Sequence, residues 1–466
     1  QGFREFRPMA RETLKRAWPY WLVTAGFLYW RLFIFEGARN ATNATRLAGS
    51  YLSNLRYMSF RVIIGTIQDF LSTSIFAWFV KPYQLITSAT YSDLTAAVLV
   101  ALLVVALVLL YSFLFKKWWG VDYLEPEIPR LMREFMWIGA FVIVFAVAPV
   151  IVSGRSVDLN DAYKSYGLHP ISGVILFVFG ILLMLEPQFR KLILISLIAI
   201  SVTTQVLNAD YWAQLWSYQR ETWWQLTWRA PAIQNDTLVM AYLPPGYRLE
   251  QDYEIWGPIN LIYHPERADA PAIQSEVLNT DTAYDVLLRN VLNNHDRDIK
   301  MHRDYNNLLL ISLPSADSCV HVIDGTLPVY SESETLLVQQ VGGYSHIDRI
   351  IPLGVAPIPP AAIFGLEPPH DWCYFYQKAS LARQAGNWKE IGNLYDHALK
   401  LNLEANDKSE IIPFFEGLVN LGRYNDAKAL YKQEIKGHFK LRFPLCATLS
   451  HDPGYPPGFG YDYKMI

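Results

Sequence analysis

Long apolar runs alternate with polar connections through the first 207 residues of the chain. The longest run, Leu94–Phe115, carries no charged residue, and it is bounded by Asp93 and by the pair Lys116-Lys117. As a helix rising 1.5 Å per residue it would span about 33 Å, enough to cross the roughly 30 Å core of a bilayer. A helix packed in a water-soluble domain needs a polar face, and this segment has none. The pattern therefore predicts a membrane span.

The same pattern predicts five further spans, which makes a bundle of about six transmembrane helices over residues 18–207. They are Trp18–Phe35, Phe60–Val80, Phe135–Val152, Ile171–Leu185 and Leu192–Leu207. The last two are short for a full crossing, so we interpret them as a tight helical hairpin. Residues 1–17 hold five basic side chains beside aromatic ones and are predicted to form a basic interfacial segment.

Residues 208–351 are more polar than the membrane half. Between 208 and 229, five tryptophans at helical spacing predict a juxtamembrane helix that lies on the bilayer or on its own domain, with a sugar-stacking platform as the alternative. The remainder is predicted to be an α/β domain with an amphipathic helix at Ala283–Asn294. Its predicted strands are Thr237–Tyr242, Asn260–Tyr263, Asn307–Leu313, Ser318–Ile323 and Thr335–Val341. The prolines of 352–370 predict a stiff linker.

Two similar units follow the linker, 36 residues apart: Gly386-Asn387-Trp388 and Gly422-Arg423-Tyr424 each precede apolar residues at helical spacing. This order is typical of the turn in a tetratricopeptide-like repeat. We expect a pair of such helical hairpins over 371–441 and an extended tail over 442–466. Two repeats cannot bury a continuous core alone, so they are expected to pack on the α/β domain, a protein partner or another copy. The aromatic residues predicted to make this interaction are Trp388, Tyr395, Tyr424 and Tyr431.

The basic residues of the connecting loops predict an orientation. With six spans, the loops on one side hold nine Lys or Arg residues and the loops on the other side hold three. Because positive loops stay inside, this places the C-terminal half on the exoplasmic side of the cytoplasmic membrane, although the basic segment 1–17 argues for the opposite. The formal net charge of −3, with no basic stripe outside the membrane flanks, does not indicate a nucleic-acid partner.

Few residues are candidates for chemistry. Arg31 and Asp69 lie inside apolar spans, where a charge is costly and is a functional hypothesis; mutual neutralisation, or snorkelling of Arg31, is the alternative. Asp158, Asp161 and His169 precede the hairpin on the predicted exoplasmic side, where carboxylates could act as catalytic bases or form only a solvated loop. The ten histidines show no H-x-x-x-H or H-E-x-x-H pair, so the sequence predicts no metal site and no cofactor.

The three cysteines are too widely spaced for a zinc motif. On an oxidising exoplasmic side, Cys319 and Cys373 would be able to form a disulfide between the α/β domain and the repeats. Cys446 would then remain unpaired. Buried free thiols are the alternative.

The segment Asp371-Trp372-Cys373-Tyr374, followed by the two repeat-like turns, resembles uncharacterised bacterial membrane proteins of the GT-C glycosyltransferase type. The resemblance covers roughly residues 170–440 and is mainly architectural. It implies transfer of a sugar from a lipid-linked donor, with an acidic catalytic motif in the first exoplasmic loop. The corresponding connection, residues 36–59, contains only Glu36. The motif is therefore expected upstream of Gln1, or the chain has the scaffold without the chemistry.

Two hypotheses follow for function. The first is a membrane-anchored scaffold that presents the α/β domain and the helical repeats to a partner protein or to another copy. The second is a glycosyltransferase, or a fragment of one, that uses a lipid-linked sugar. An acidic cavity at the exoplasmic membrane face would favour the second.

Overall fold

A computed structural model describes residues 55–119, 128–153, 166–244, 251–266, 271–296 and 299–438, with short pieces elsewhere. The described part is mostly helical and contains a small α/β region. The predicted first span, Trp18–Phe35, is described in short helical pieces, and Arg31 lies outside the described residues. The tail 442–466 lies outside them as well, apart from Arg442 and Leu445.

From Leu55 on, the described part of the membrane half contains six α-helices. They are α1 (Leu55–Ser74), α2 (Val80–Ser88), α3 (Tyr91–Trp119), α4 (Ile128–Val152), α5 (Ile171–Leu183) and α6 (Pro187–Arg229). Among the described residues, three helices are long and apolar enough to cross a membrane: α3, α4 and α6. On α3 the side chains of Leu99, Leu102 and Leu103 are 61%, 59% and 60% exposed. Such a large exposed apolar surface suggests a membrane environment.

The predicted span Phe60–Val80 is a bent pair of helices. The chain bends by 43° between α1 and α2, across a short 3₁₀ turn at Phe76–Trp78. If the pair crosses the membrane as one broken span, the number of candidate spans rises to four. Just before the break, the hydroxyls of Thr73 and Ser74 donate hydrogen bonds to backbone carbonyls one turn earlier. Such back-bonding bends helices.

Glycines bring α4 and α5 into close contact. A Cβ atom added to Gly139 would lie 2.5 Å from the backbone nitrogen of Phe177 and 2.7 Å from the carbonyl oxygen of Gly173. Gly180 lies equally close to Met136 on α4. Close backbone approach through small residues is a common means of helix packing in membranes, where burial of apolar surface provides little driving force.

The predicted second hairpin helix and the Trp-rich helix are one continuous helix, α6, of 43 residues. Glu186-Pro187 starts it, with Pro187 in the first turn, where the missing N–H costs nothing. Its C-terminal end is buried: Trp223 lies in the core of the α/β region, Trp224 donates to the carbonyl of Phe364, and Trp228 packs against Tyr374. These three tryptophans therefore pack within the protein, whereas Trp212 and Trp216 are 44% and 41% exposed.

The α/β region is built on a four-stranded sheet with the order β2–β1–β5–β6. Strand β1 (Leu238–Tyr242) pairs in parallel with β2 (Gln274–Val277) and with β5 (Leu308–Ser312). Strand β6 (His321–Val322) is antiparallel to β5 and forms one edge. A separate hairpin consists of β3 (Val291–Asp296) and β4 (Ile299–Asp304).

Helices cover both faces of this sheet, as expected for parallel strands. They are α7 (Tyr253–Tyr263), α8 (Thr280–Leu288) and α9 (Leu336–Val341). Val239 and Leu309 face the core formed with α7 and the end of α6. Leu238 and Leu308 face the opposite core, formed with α8 and α9.

Two predicted strands are helices in the structure. Asn260–Tyr263 is the last turn of α7, whose residues Ile255, Ile259 and Ile262 are buried at helical spacing behind the N-cap Asp252. Thr335–Val341 forms α9, because the Thr335 hydroxyl caps the helix by accepting the Val338 N–H. Short apolar runs do not distinguish a strand from a buried helix, and the caps decide here.

The predicted helix Ala283–Asn294 is half correct. Helix α8 ends at Leu288, because Arg289 adopts a left-handed conformation with φ of 52°. The chain then turns into β3, so the segment after Asn290 is a strand. The strands predicted around β1, β5 and β6 are present.

The C-terminal part is helical. After a short helix α10 (Ala361–Phe364) come α11 (Trp372–Gln384), α12 (Trp388–Lys400), α13 (Ile412–Asn420) and α14 (Tyr424–Leu430). Each packs on the next around a core that contains Phe375, Phe414 and Phe415. Gly386 and Gly422 adopt positive φ at the turns before α12 and α14, a conformation that favours glycine. We call α11 to α14 the helical unit.

Candidate functional site

The helical unit is joined to the α/β region by a buried polar junction next to strand β6. Cys319 and Cys373, the pair proposed from the sequence, are bonded across it, with their Cα atoms 5.3 Å apart. Gln377 of α11 donates to the carbonyl of Val320 at 2.6 Å, and Gln225 of α6 accepts the Val320 N–H at 2.7 Å. Three separate parts of the chain therefore meet at one edge strand.

Glu410 is the centre of this junction and is fully buried. Its Oε1 accepts the Cys319 N–H at 2.6 Å and lies 3.4 Å from Nε2 of His321, and its Oε2 accepts the indole N–H of Trp372 at 2.6 Å. Burial would lower the pKa of His321, but the hydrogen bond and charge of Glu410 outweigh it and raise this pKa above its ordinary value. With Asp407, these two residues place three potential metal-ligand atoms within 4.8 Å of one another.

The hydrogen bonds of this cluster are already occupied by the protein. Glu410 uses both oxygens for N–H donors, and Asp407 accepts from the hydroxyls of Ser318 and Ser409. A metal ion would have to displace these donors. We therefore interpret His321, Asp407 and Glu410 as a structural hydrogen-bond cluster.

In front of the junction lies an open cleft of about 570 Å³ between the α/β region and the helical unit. One wall is formed by Leu327, Val329 and Ile347, and the opposite wall by side chains of the helical unit that include Trp388 and Ile412. Polar groups lie among them: Arg229, Asp324, Tyr376, Ser380, Arg383, Gln384 and Glu416. The lining combines apolar side chains with converging polar groups, as ligand sites do, and the volume is in the usual range of roughly 300–1,000 Å³.

The two arginines of the cleft differ in their partners. The guanidinium of Arg383 forms a bidentate ion pair with Glu416, with Nη2 2.9 Å from Oε1. Arg229, the last residue of α6, is 2% exposed and donates from Nη1 to the amide oxygen of Gln384 at 2.9 Å. Within the described residues no carboxylate lies within ion-pair distance of Arg229. Burial lowers the pKa of Arg229 to about 10, with Tyr376 and Asp324 acting in the opposite direction.

The residues predicted from the repeats occupy different positions. Trp388 lines the cleft. Tyr431 is buried in the core of the helical unit, and Tyr395 and Tyr424 pack partly against that core. Of these four aromatic side chains, Trp388 is the one that faces an open site.

The residues predicted in the membrane half do not form one site in the described part of the chain. Asp69 is buried on α1; its Oδ2 accepts the Val157 N–H at 3.1 Å, and its Oδ1 has no hydrogen-bond partner among the described residues. Asp158, Asp161 and Cys446 lie outside the described residues. His169 is exposed, and its ring stacks on Tyr166 at 6.5 Å between centroids.

Arg229 and the cleft were not predicted from the sequence. The one available signal was a basic residue in the last turn of a helix, where it is common because it neutralises the helix dipole. The groups around it come from positions about 90 to 190 residues further along the chain, so their proximity depends on the tertiary fold.

Comparison with known proteins identifies no family: no family model, no curated protein and no solved structure matches the chain.

Proposed function

We propose that this protein is a membrane-anchored binding protein whose water-exposed half presents the cleft to a ligand or to a segment of a partner protein. The observation that carries the proposal is the cleft itself: an open volume with apolar walls and a buried arginine that has no carboxylate partner in the described chain. Several helices anchor the chain, and α6 runs without a break from the membrane half to Arg229 in the cleft.

The helical unit fits a degenerate tetratricopeptide-like pair in this proposal. Four helices pack in sequence, and glycines with positive φ form the turns before the second and fourth helices. Their packing on the α/β region would replace the neighbouring repeats that longer arrays use to bury a core. The six-span topology and the exoplasmic orientation are further parts of the proposal, supported by the loop charges and by the bonded Cys319–Cys373 pair, because disulfides persist in oxidising compartments.

The binding function is tested by placing a photo-cross-linking amino acid at Trp388 in the full chain, in the membranes of the cells that produce it. A discrete adduct is expected at this position. The matched control is the same substitution at Tyr284, which is 62% exposed and does not line the cleft. Equal labelling at both positions, or none at Trp388, would refute a ligand-binding cleft.

The orientation has an independent test. Intact cells are incubated with or without a membrane-impermeant reductant, which is then removed, and the protein is denatured and treated with a maleimide polymer. If the C-terminal half is exoplasmic, reduction should add two polymer chains per molecule, one each on Cys319 and Cys373. A gel shift that never depends on the external reductant would place this half on the other side.

A lipid-linked-sugar transferase is the second candidate, and one cavity favours it. This cavity, of about 380 Å³, lies at the bend between α1 and α2, and Lys81, Thr204, Gln205 and Asn208 contribute polar groups to it. A cation and neutral polar groups beside apolar walls suit the anionic head of a lipid. Native mass spectrometry with polyprenyl phosphate tests this: binding that Lys81→Gln removes would favour the transferase, and binding that is unaffected by this substitution would not.

A further inference from the structure

Among the described residues of the α/β region and helical unit, Arg229 and Arg303 are the fully buried arginines, and Arg229 differs in lacking an acidic partner. Arg303 is held between Asp252 and Glu276, and Arg383 is paired with Glu416. Arg229 is as buried as Arg303, but its one hydrogen bond to another described side chain goes to the neutral amide of Gln384. Burying a guanidinium without a counter-charge is costly, so such residues are normally paired.

The charge of Arg229 is retained at neutral pH. Burial lowers its pKa only to about 10, so the guanidinium is protonated under physiological conditions. A guanidinium presents its donors in a planar fork that matches the two oxygens of a carboxylate. Because the Arg229 side chain lines the cleft, a molecule that enters the cleft can reach it.

The surrounding charges favour a monoanion over a dianion. Asp324 and Glu416 also line the cleft, but Thr326 holds Oδ1 of Asp324 through its N–H and its hydroxyl, and Glu416 is used by Arg383. A phosphate dianion at Arg229 would add two negative charges beside these two carboxylates. A single carboxylate would balance the guanidinium of Arg229, which has no carboxylate partner among the described residues.

The apolar side chains of the cleft indicate that the rest of the ligand is apolar. Val329 and Ile347 on one side and Trp388 on the other offer apolar surface on both sides of the polar groups. A ligand with a charged end and an apolar body would bury that body between them, at roughly 25 cal/mol per Å² of apolar surface.

We propose that Arg229 binds the carboxylate of an apolar ligand whose body occupies the space between the two walls of the cleft. This inference rests on the proposed binding function and specifies its ligand class. The same chemistry is available from two sources, the C-terminal carboxylate of a peptide with apolar terminal residues and a medium-chain aliphatic acid.

Calorimetric titration of the full chain in lipid nanodiscs tests the proposal. The probes are N-acetyl-Leu-Phe, its C-terminal amide, octanoate and octanamide. At least one free acid should bind about 30-fold or more tightly than its amide, because the amide leaves the buried charge unpaired. The peptide and octanoate arms show which source the cleft prefers. Equal affinity for acid and amide overturns the inference, and this comparison needs no variant protein.

Arg229→Gln should weaken binding of the preferred acid to the level of the amide and leave the affinity for the amide unchanged. Arg289→Gln is the matched control, because Arg289 is exposed and lies outside the cleft. Inorganic phosphate is titrated in the same way; phosphate binding that exceeds the binding of both acids and depends on Arg229 would also overturn the inference.

The two proposals fail differently. If the Trp388 cross-linker captures a ligand but acids and amides bind alike, the binding function stands and carboxylate recognition is wrong. If neither an adduct nor any titration signal is observed, the binding function itself is refuted.

Discussion

Between α4 and α5 of the membrane half, glycines face the backbone of the neighbouring helix, whereas in the helical unit the contacts between helices, including those at Gly392 and Gly417, are made by side chains. A Cβ atom on Gly139 would meet the backbone of Phe177, while Phe414 and Phe415 are completely buried between helices. In lipid, apolar side chains gain little from leaving their surroundings, so close backbone contact provides the attraction. In water, removing large apolar surfaces from solvent provides it.

Buried polar groups follow the same division. In the membrane half the buried carboxylate of Asp69 has one described hydrogen bond, from the Val157 N–H. In the other half the carboxylate of Glu410 accepts two N–H groups and contacts His321. The second arrangement joins segments that are far apart in sequence. The difference predicts that the two halves respond differently to the loss of a polar group and to the addition of a methyl group.

The largest effect is expected from Glu410→Ala. The substitution leaves the Cys319 N–H, the Trp372 indole N–H and His321 without their buried acceptor, at a cost of about 3–5 kcal/mol in the free energy of unfolding. Urea unfolding of the water-exposed half, followed by tryptophan fluorescence in detergent, measures it. Glu404→Ala is the control, because Glu404 is exposed. If the two variants unfold at the same urea concentration, the junction does not depend on Glu410.

A smaller effect is expected in the membrane half from Gly139→Ala. The added methyl group would overlap the backbone of α5, and separating the helices should cost about 1–3 kcal/mol. The control, Gly26→Ala, has no atom within 4 Å of the new Cβ, and it should be stabilising by roughly 0.5–1 kcal/mol because alanine favours helix. Unfolding of both variants in SDS gives the comparison. Equal shifts would mean that glycine contact does not hold α4 to α5.

The smallest effect, counted per pH unit, is a pH dependence at Glu276. Burial raises the pKa of Glu276 to about 7; Arg303 opposes this and Asp252 adds to it. The folded protein therefore holds a proton on Glu276 that the unfolded chain releases near pH 4.5, so this contribution to stability is complete at low pH and is lost as the pH rises through about 7. Glu276→Gln should remove this dependence, which amounts to at most about 1.4 kcal/mol per pH unit.

Melting temperatures between pH 4 and pH 8 measure this term as the difference between the original chain and the variant. Glu266→Gln, at an exposed position, is the control and should keep the original pH dependence. If Glu276→Gln has the same profile as the original chain, the shifted titration belongs to another group.

The membrane helices were the easiest part to predict, because a long uncharged run such as Leu94–Phe115 has no stable place in water. The strands around Leu238 and Leu308 were also predictable, since they are β-sized apolar runs bounded by turns. The helix that ends at Tyr263 was not predicted. The apolar run at its end is short, and its N-cap, Asp252, lies several residues before that run.

The site depends on still longer-range order. Trp388 could be singled out because aromatic residues after a glycine turn form a recognisable pattern. Arg229 could not, because its significance depends on what does not contact it: the acidic residues near it in space are partnered by Thr326 and Arg383, which come about 100 and 150 residues later. A local pattern contains no information about such pairings.

The unbroken course of α6 also sets a distance. From Leu207, the last residue of its apolar half, to Arg229 the helix rises about 33 Å, and no hinge interrupts it. The length of this helix therefore sets the largest possible distance between the cleft and the bilayer. That distance is reached only when the helix is perpendicular to the membrane. If the helix is perpendicular to the membrane, a lipid headgroup that remains in the bilayer cannot reach the cleft. A ligand must then come from solution or be attached to the membrane by a long linker.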